Sequence, residues 1–393
     1  MRKILFLPLA VISIALNAYA QAPKKVLFEE INGAWCGRVP FGDWIIHNYI
    51  VPNYPDVIPV FIHDSDTQNG GRYDLMASAV GDSIIDAFYV GVPYPSPKGI
   101  IDRMKFSDQT NVVTERDGFS TYNTTGVWKN KVITQLAVSS PVAVGITVTY
   151  NSITRIVNAT VTTDFVAIIS GDMRINLWIV EDSVVGSGYG YDQHTYDYNN
   201  SESPFYHVGV EGTNADSIPG YVHRHVLRGA ASPAWGTAGV IPSSVSNGQN
   251  FSTDYTYTIP SAWDENQITL VAFVSYYDVS INNRSVLNAE KISLLSTTGI
   301  NDHGNNLISI IPFTYPNPSR GLTSIEFSSA NSSPVNIDIY NLLGENVLAV
   351  QKGVFSSGKN TVTFDAGKLE SGVYLISVKT EAGANVNKLI IRK

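Results

Sequence analysis

Ala34-Trp35-Cys36-Gly37-Arg38-Val39-Pro40 decides how the first third of the chain is read. It follows a short apolar run, Val26-Leu27-Phe28, and precedes Phe41, Trp44, Ile45, Asn48 and Tyr49, which recur at helical spacing. Strand, cysteine-bearing turn and helix therefore come in that order. Val57 to Ile62 is a second apolar strand, and Tyr73 to Ala87 reads as one or two helices interrupted near Gly81. Tyr94-Pro95-Ser96-Pro97-Lys98-Gly99 then leads into Ile100-Ile101. Such alternation of strands and helices predicts an α/β layer over residues 21–120.

Beyond Thr121 to Leu136, which reads as one helix, the period changes to two. Val142, Val144, Ile146 and Val148 share one face, and Val157, Ala159 and Val161 repeat the pattern, as do Ile175, Leu177 and Ile179. With the runs Tyr221 to Leu227, Phe251 to Ile259, Ile268 to Tyr276 and Val286 to Leu294, residues 121–295 read as an antiparallel β-sandwich. Residues 296–313 are rich in Ser, Thr, Gly and Asn and read as a linker. Five or six short strands between turn signals then occupy 314–393. The expected fold class is α/β plus all-β, in three units.

Charge and composition narrow the function classes. Net charge is −8, and removing residues 1–20 leaves 24 basic against 34 acidic side chains, so nothing attracts nucleic acid. From Thr314 onward the balance reverses to eight basic against six acidic. Met1-Arg2-Lys3, the apolar stretch Ile4 to Leu16 and small Ala18 and Ala20 form the three-part pattern of a signal peptide over 1–20. Cleavage after Ala20 exposes Gln21 instead of a cysteine, which argues against lipid anchoring. Cys36 is the one cysteine, so no internal disulfide forms.

Trp35-Cys36-Gly37-x-x-Pro40 resembles a thioredoxin-fold active-site turn, and Ser96-Pro97 resembles the cis-proline that faces it. A thiol at a helix N-terminus sits in positive partial charge, which favours the thiolate. A second cysteine three residues on then resolves the mixed disulfide. Here that position holds Val39, so a dithiol cycle within one molecule has no chemistry to run on. Cys36 is then a retained small side chain, a monothiol that forms adducts with an external thiol, or a site of intermolecular crosslinking.

Other constellations are weaker. Asp64-Ser65-Asp66-Thr67-Gln68-Asn69-Gly70 begins like a calcium loop but has Leu75 where the twelfth-position glutamate belongs. Gly186 to Asn200 carries Tyr189, Tyr191, Tyr196 and Tyr198 among polar residues and suits a recognition loop as well as a plain surface hairpin. Asp182, Asp192 and Asp197 are candidate acids without a definable pairing. His223 and His225 stand two apart on an expected strand and would project to one face, a pair that suits zinc or copper but lacks a third ligand at a defined spacing. No nucleotide-binding glycine loop or nucleophile elbow is present, and no cofactor is expected.

Residues 24–295 resemble the outer membrane protein 28-related family. The likeness rests on Val26-Leu27-Phe28-Glu29-Glu30 with Trp35-Cys36-Gly37, on Ile101-Asp102-Arg103, and on Asn176-Leu177-Trp178-Ile179-Val180-Glu181-Asp182. His223-Arg224-His225-Val226-Leu227-Arg228 and Val286-Leu287-Asn288-Ala289 extend it. The family commonly has Asn where this chain has Asp102, and often a second cysteine at Val39. The resemblance implies a surface-exposed or secreted, adhesin-like protein with no agreed reaction. Residues 314–393 resemble the sorting domain of type IX secretion, through Tyr315-Pro316-Asn317-Pro318, Gly321, Gly372-Val373-Tyr374 and the ending Lys388-Leu389-Ile390-Ile391-Arg392-Lys393. That likeness implies a Bacteroidota-type cell, the type IX translocon as partner, and release or attachment to surface lipopolysaccharide. The leading functional expectation is a non-catalytic binder of an extracellular peptide, glycan or protein. A monothiol redox protein using Cys36 and a metal-dependent enzyme on the sandwich are the alternatives.

Overall fold

The structure is a computed structural model that describes residues 22–64, 74–88, 97–116, 126–211, 216–295, 313–315, 317, 319, 321–329, 332–341, 344–356, 358–380 and 383–392. The expected signal peptide, most of the linker, and all but the first residue of the calcium-like loop lie outside these residues. The chain divides into two compact units, Met1–Ser296 and Thr297–Lys393. Strand accounts for 46% and helix for 14%, so the molecule is mostly β with several sheets.

In the first unit, β1 (Val26–Asn32) leads into α1 (Val39–Ile45), continued by a wider-turned segment, Ile46–Ile50. Then come β2 (Val57–His63), α2 (Ala79–Phe88), β3 (Lys98–Ile101), β4 (Val113–Glu115) and α3 (Gly126–Leu136). The second half adds β5 (Val142–Asn151), β6 (Ile156–Phe165), β7 (Ile169–Ser170), β8 (Met173–Glu181), β9 (Gln193–Thr195), β10 (Asp216–Ile218) and β11 (Val226–Ala230). It closes with β12 (Ser244–Val245), β13 (Asn250–Thr258), β14 (Ile268–Tyr276) and β15 (Val286–Ser293).

Eight of these strands form one sheet in the order β15-β14-β8-β11-β2-β1-β3-β4. Neighbours are antiparallel except β1 with β2 and β2 with β11, which run parallel. The sheet thus runs straight through the expected boundary at 120/121. β11, from the second half, sits beside β2, from the first. A boundary drawn where the hydrophobic period changes misses this, because strand order is set by pairing between segments far apart in sequence.

Every residue of β1 and β2 is buried, as expected of strands covered on both faces. On one face Phe41 and Ile45 of α1 and Trp128 and Val132 of α3 pack on Val26, Phe28, Phe61 and Ile101. Trp128 meets Phe28 edge-on with centroids 5.2 Å apart, so the helix expected to open the second domain belongs to the first half's core. Ile84, Ile85 and Phe88 of α2 cover the other face. Against β8 and β14 lies a three-stranded antiparallel sheet, β13-β6-β5, whose Val157, Ala159 and Val161 meet Ile175, Leu177 and Ile179. These are the faces that the period-two pattern assigned inward.

Two adjacent glutamates in β1 face opposite ways, and both are fully buried. Glu29 takes a bidentate pair from buried Arg103, with Nη2 to Oε1 at 2.7 Å and Nε to Oε2 at 2.9 Å. Phe88, Trp178, Trp235 and Phe273 surround that guanidinium at 5.1–5.8 Å. Asp102, with φ 49°, pairs with Lys24 at 2.9 Å and accepts from the Leu27 amide.

The second unit holds β16 (Phe313–Tyr315), β17 (Leu322–Ser329), β18 (Ser333–Tyr340), β19 (Asn346–Phe355), β20 (Gly358–Asp365), β21 (Gly372–Thr380) and β22 (Gly383–Ile391). They form two antiparallel sheets, β16-β17-β20 and β19-β18-β21-β22, around Ile325, Ile337, Val362, Ile376 and Leu389.

Candidate functional site

β1 ends at Asn32, and the turn Gly33–Gly37 carries the chain into α1. The Cys36 amide donates to Gly33 O at 2.9 Å, and the Val39 amide to Cys36 O at 3.1 Å. Trp35, Cys36 and Val39 form a small buried cluster, with Val39 fully enclosed and Cys36 7% exposed. Trp35 is pinned by its indole N–H, which donates to Asp64 O. Burial pushes the Cys36 thiol above its ordinary pKa, although hydrogen bonds from the Arg38 and Val39 backbone pull it back in part. Buried Pro97 stands against α1: a Cβ on Gly42 would lie 2.7 Å from Pro97 Cγ and would collide with Glu30 Oε1.

The tyrosine-bearing loop closes over this turn. The His194 amide donates to Ala34 O at 2.7 Å, and the Tyr196 amide to Gly37 O at 2.9 Å. Buried Gln193 aims its amide N–H group at the carbonyls of Ala34 and Cys36, at 3.2 and 2.9 Å. A Cβ on Gly37 would fall 2.7 Å from the Tyr196 ring, so glycine is what lets that ring approach. Tyr191 packs with Ala34, Met76, Val184 and Val226. Tyr198 lies farther along, against His207 at 5.2 Å, and Tyr189 is 64% exposed. Two sequence expectations, joined across 157 residues by Gln193 and Cys36, thus meet in one place, and of the four tyrosines Tyr191 and Tyr196 belong to it.

Beneath the turn lies a polar layer that sequence reasoning missed. The Glu30 carboxyl lies against that of Asp43 on α1; burial and the Asp43 charge raise its pKa well above the usual range. Burial likewise raises Asp43 to about 6, opposed by the Tyr221 hydroxyl, by His63 and by the Asn32 amide. The Tyr221 hydroxyl donates to Asp43 Oδ2 at 2.7 Å, and Asn32 Nδ2 to Oδ1 at 2.9 Å. Two buried carboxyls side by side oppose each other's ionisation, so the charge of one raises the pKa of the other. Asp74 completes the layer, joined to His63 Nδ1 at 2.8 Å and to the amides of Ala34 and Met76. Burial opposes its charge, but His63 and those amides outweigh it and hold Asp74 below the usual range. The sequence signal for this layer was Glu29-Glu30 inside an apolar strand: two adjacent acids in β1 must bury one on each face.

His223 joins the layer, its ring 5.3 Å from that of His63 and its Nε2 2.8 Å from Tyr191 O. Burial and His63 lower its pKa to about 4. His225 lies farther along the same side of β2, edge-on to the Phe61 ring at 5.7 Å. Its ring stacks on His47 at 5.1 Å. β11 begins only at Val226, and His225 has φ 51°, outside extended backbone. Among the described residues no group of three His, Cys, Asp or Glu side chains is placed to hold a metal. Asp182 pairs with Arg224 at 3.2 Å, away from Asp192 and Asp197 in the loop.

In the second unit, Asn317 Oδ1 accepts from the Ile390 amide at 2.8 Å, and Ser319 bonds backbone groups of Ile390 and Arg392. The two ends of the sorting motif are therefore tied together. Tyr315 pairs in register with Ser324, Lys388 with Leu375 and Gly372 with Ile391, while the Tyr374 hydroxyl donates to Glu370 O. Pro316, Pro318 and Lys393 lie outside the described residues. No described helix is long and apolar enough to cross a membrane.

Residues 95–296 match the family of outer membrane protein Omp28, and residues 314–392 match the secretion system C-terminal sorting domain. Among solved structures, HBP35 of Porphyromonas gingivalis is similar at TM-score 0.50 and 16% identity, covering 94% of this chain and 99% of that one. A domain of the outer membrane lipoprotein Omp28 from the same organism aligns at 14% identity and TM-score 0.23, over 39% of this chain and 88% of its own. No curated protein matches the sequence. The sorting domain engages type IX secretion and places the protein outside the cell or on the outer-membrane surface. With just over half of its length matched by the first of these families, the chain belongs to the Omp28 outer membrane protein family and carries a secretion sorting tail.

Proposed function

We propose that this is a non-catalytic, adhesin-like binding protein whose first α/β layer is a thioredoxin-like scaffold with a retired thiol site. The order β2-β1-β3-β4, with β2 parallel and β3 antiparallel to β1, supports the thioredoxin-like reading, as does Pro97 against α1. One observation carries the loss of catalysis: the chain's own Gln193–Tyr196 segment occupies the backbone of the Cys36 turn, over a buried thiol whose resolving position is Val39. Exchange with a bulky disulfide needs an exposed sulfur and a lowered pKa, and this site has neither. The exposed ligand surface is then elsewhere on the unit, for a peptide, glycan or protein outside the cell.

The test is turnover. The mature chain should give no steady reduction of insulin disulfides with glutathione supplied, and it should retain ligands on a glycan and peptide array. Steady turnover would favour the monothiol reading, to which the ionisable Glu30–Asp43 pair beside Cys36 lends its one support. For export, deleting Lys388 to Lys393 removes partners of β21 and the Ile390 amide that Asn317 holds, and should strand the protein in the periplasm. Normal export of that truncation would overturn the sorting role.

A further inference from the structure

A second site lies in a split of the eight-stranded sheet. β11 meets β2 at one register position, Val226 opposite Phe61, so Val57 to Val60 have no strand on that side. Phe61 donates its amide to His225 O across this edge, and Pro59, two residues earlier, brings no N–H to the same gap. A proline there leaves no orphan donor, which is how sheet edges are kept from pairing. The result is a cavity of about 280 Å³ opening between β2, β8, β14 and β15. That size is near the lower end for small-molecule sites.

Its chemistry is two-sided. Ile58, Val180 and Val271 supply an apolar floor, and Thr269, Ser293 and Lys291 supply polar groups along β14 and β15. Asp182 also lines the cavity, but its oxygens are already committed to the Arg224 guanidinium at 3.2 Å and to the His225 amide at 3.4 Å. That pair is close to neutral. The His225 ring contacts His47 and Phe61 and takes no hydrogen bond from the described residues. Lys291 is the one Lys or Arg in the lining, and its ammonium has no hydrogen-bond or ion-pair partner among the described residues. The Lys291 ammonium therefore stands over an apolar floor with two hydroxyls beside it, and the Lys25–Glu290 pair and Asp56 act on it from outside the lining.

We propose that this cavity binds a small monocarboxylate with a short apolar body, its carboxylate held by Lys291, Thr269 and Ser293 and its chain laid on Ile58, Val180 and Val271. Calorimetric titration of the mature chain with sodium hexanoate tests it, with 1-hexanol as the body without the charge and acetate as the charge without the body. Hexanoate should bind at least tenfold more tightly than either. Lys291→Met should weaken it at least tenfold, and Ser293→Trp, which fills the space and keeps the lysine, should abolish it, both with unchanged melting temperature. Absence of hexanoate binding, equal binding of hexanol, or full affinity in Lys291→Met would each overturn the proposal.

Discussion

Glu29 and Glu30 are neighbours in one buried strand, yet their surroundings are opposites. Glu29 meets a bidentate guanidinium held in an aromatic cage, and that acid is satisfied. Glu30 meets another carboxyl, Asp43, under the cysteine turn. A paired buried charge resists removal of either partner, whereas an acid beside an acid stays buried only by holding a proton. The face of Arg103 therefore reads as architecture. The face of Cys36 gathers ionisable groups beneath a covered thiol.

The largest effect should come from breaking the satisfied face. Arg103→Met leaves Glu29 buried without its cation and should cost about 3–5 kcal/mol in urea unfolding. A cost below about 1 kcal/mol would mean that water or a rearranged side chain replaces the guanidinium.

The other face should respond with opposite sign. Asp43 has a folded pKa of about 6 against an ordinary 3.8. Its stabilising contribution is complete below the unfolded value and is lost as pH rises through about 6. Glu30→Gln replaces acid–acid contact by an amide that can donate to Asp43. It should stabilise the protein by about 2 kcal/mol at pH 8 and little at pH 4. His223 and His225, lowered to about 4, act the other way, since the unfolded chain takes up their protons first as pH falls from 6.5. The variant should therefore show a clear acid loss of stability that the native protein masks.

Smaller effects should separate cover from core. Gln193→Ala removes the donor to the carbonyls of Ala34 and Cys36 and should speed alkylation of Cys36 about tenfold, the equivalent of roughly 1.4 kcal/mol in opening. Gly37→Ala displaces the exposed Tyr196 ring and should raise the same rate by about two- to threefold. Equal rates in all three proteins would mean that the loop does not shield the thiol.

Much of this was legible beforehand, for reasons that differ by region. β14 was read residue for residue as Ile268–Tyr276, and β5, β6 and β13 showed the clean alternation of strands with one wet face. Tyr221 to Leu227 read too long as a strand, since β11 begins only at Val226 and His225 has a left-handed φ. The continuous sheet and the loop over Cys36 lay beyond local pattern altogether. Gln193 and Cys36 are joined by side-chain-to-backbone bonds across 157 residues, and no spacing encodes that contact. The Glu30–Asp43 pair stood between these extremes, visible as a surplus acid in a buried strand but without its partner.

The most direct measurement is the rate of Cys36 alkylation by iodoacetamide in the native mature chain across pH 6 to 9. A covered, high-pKa thiol predicts slow labelling that rises only above the ordinary thiol range and accelerates sharply on unfolding. Rapid labelling at pH 7 in the folded protein would contradict the account.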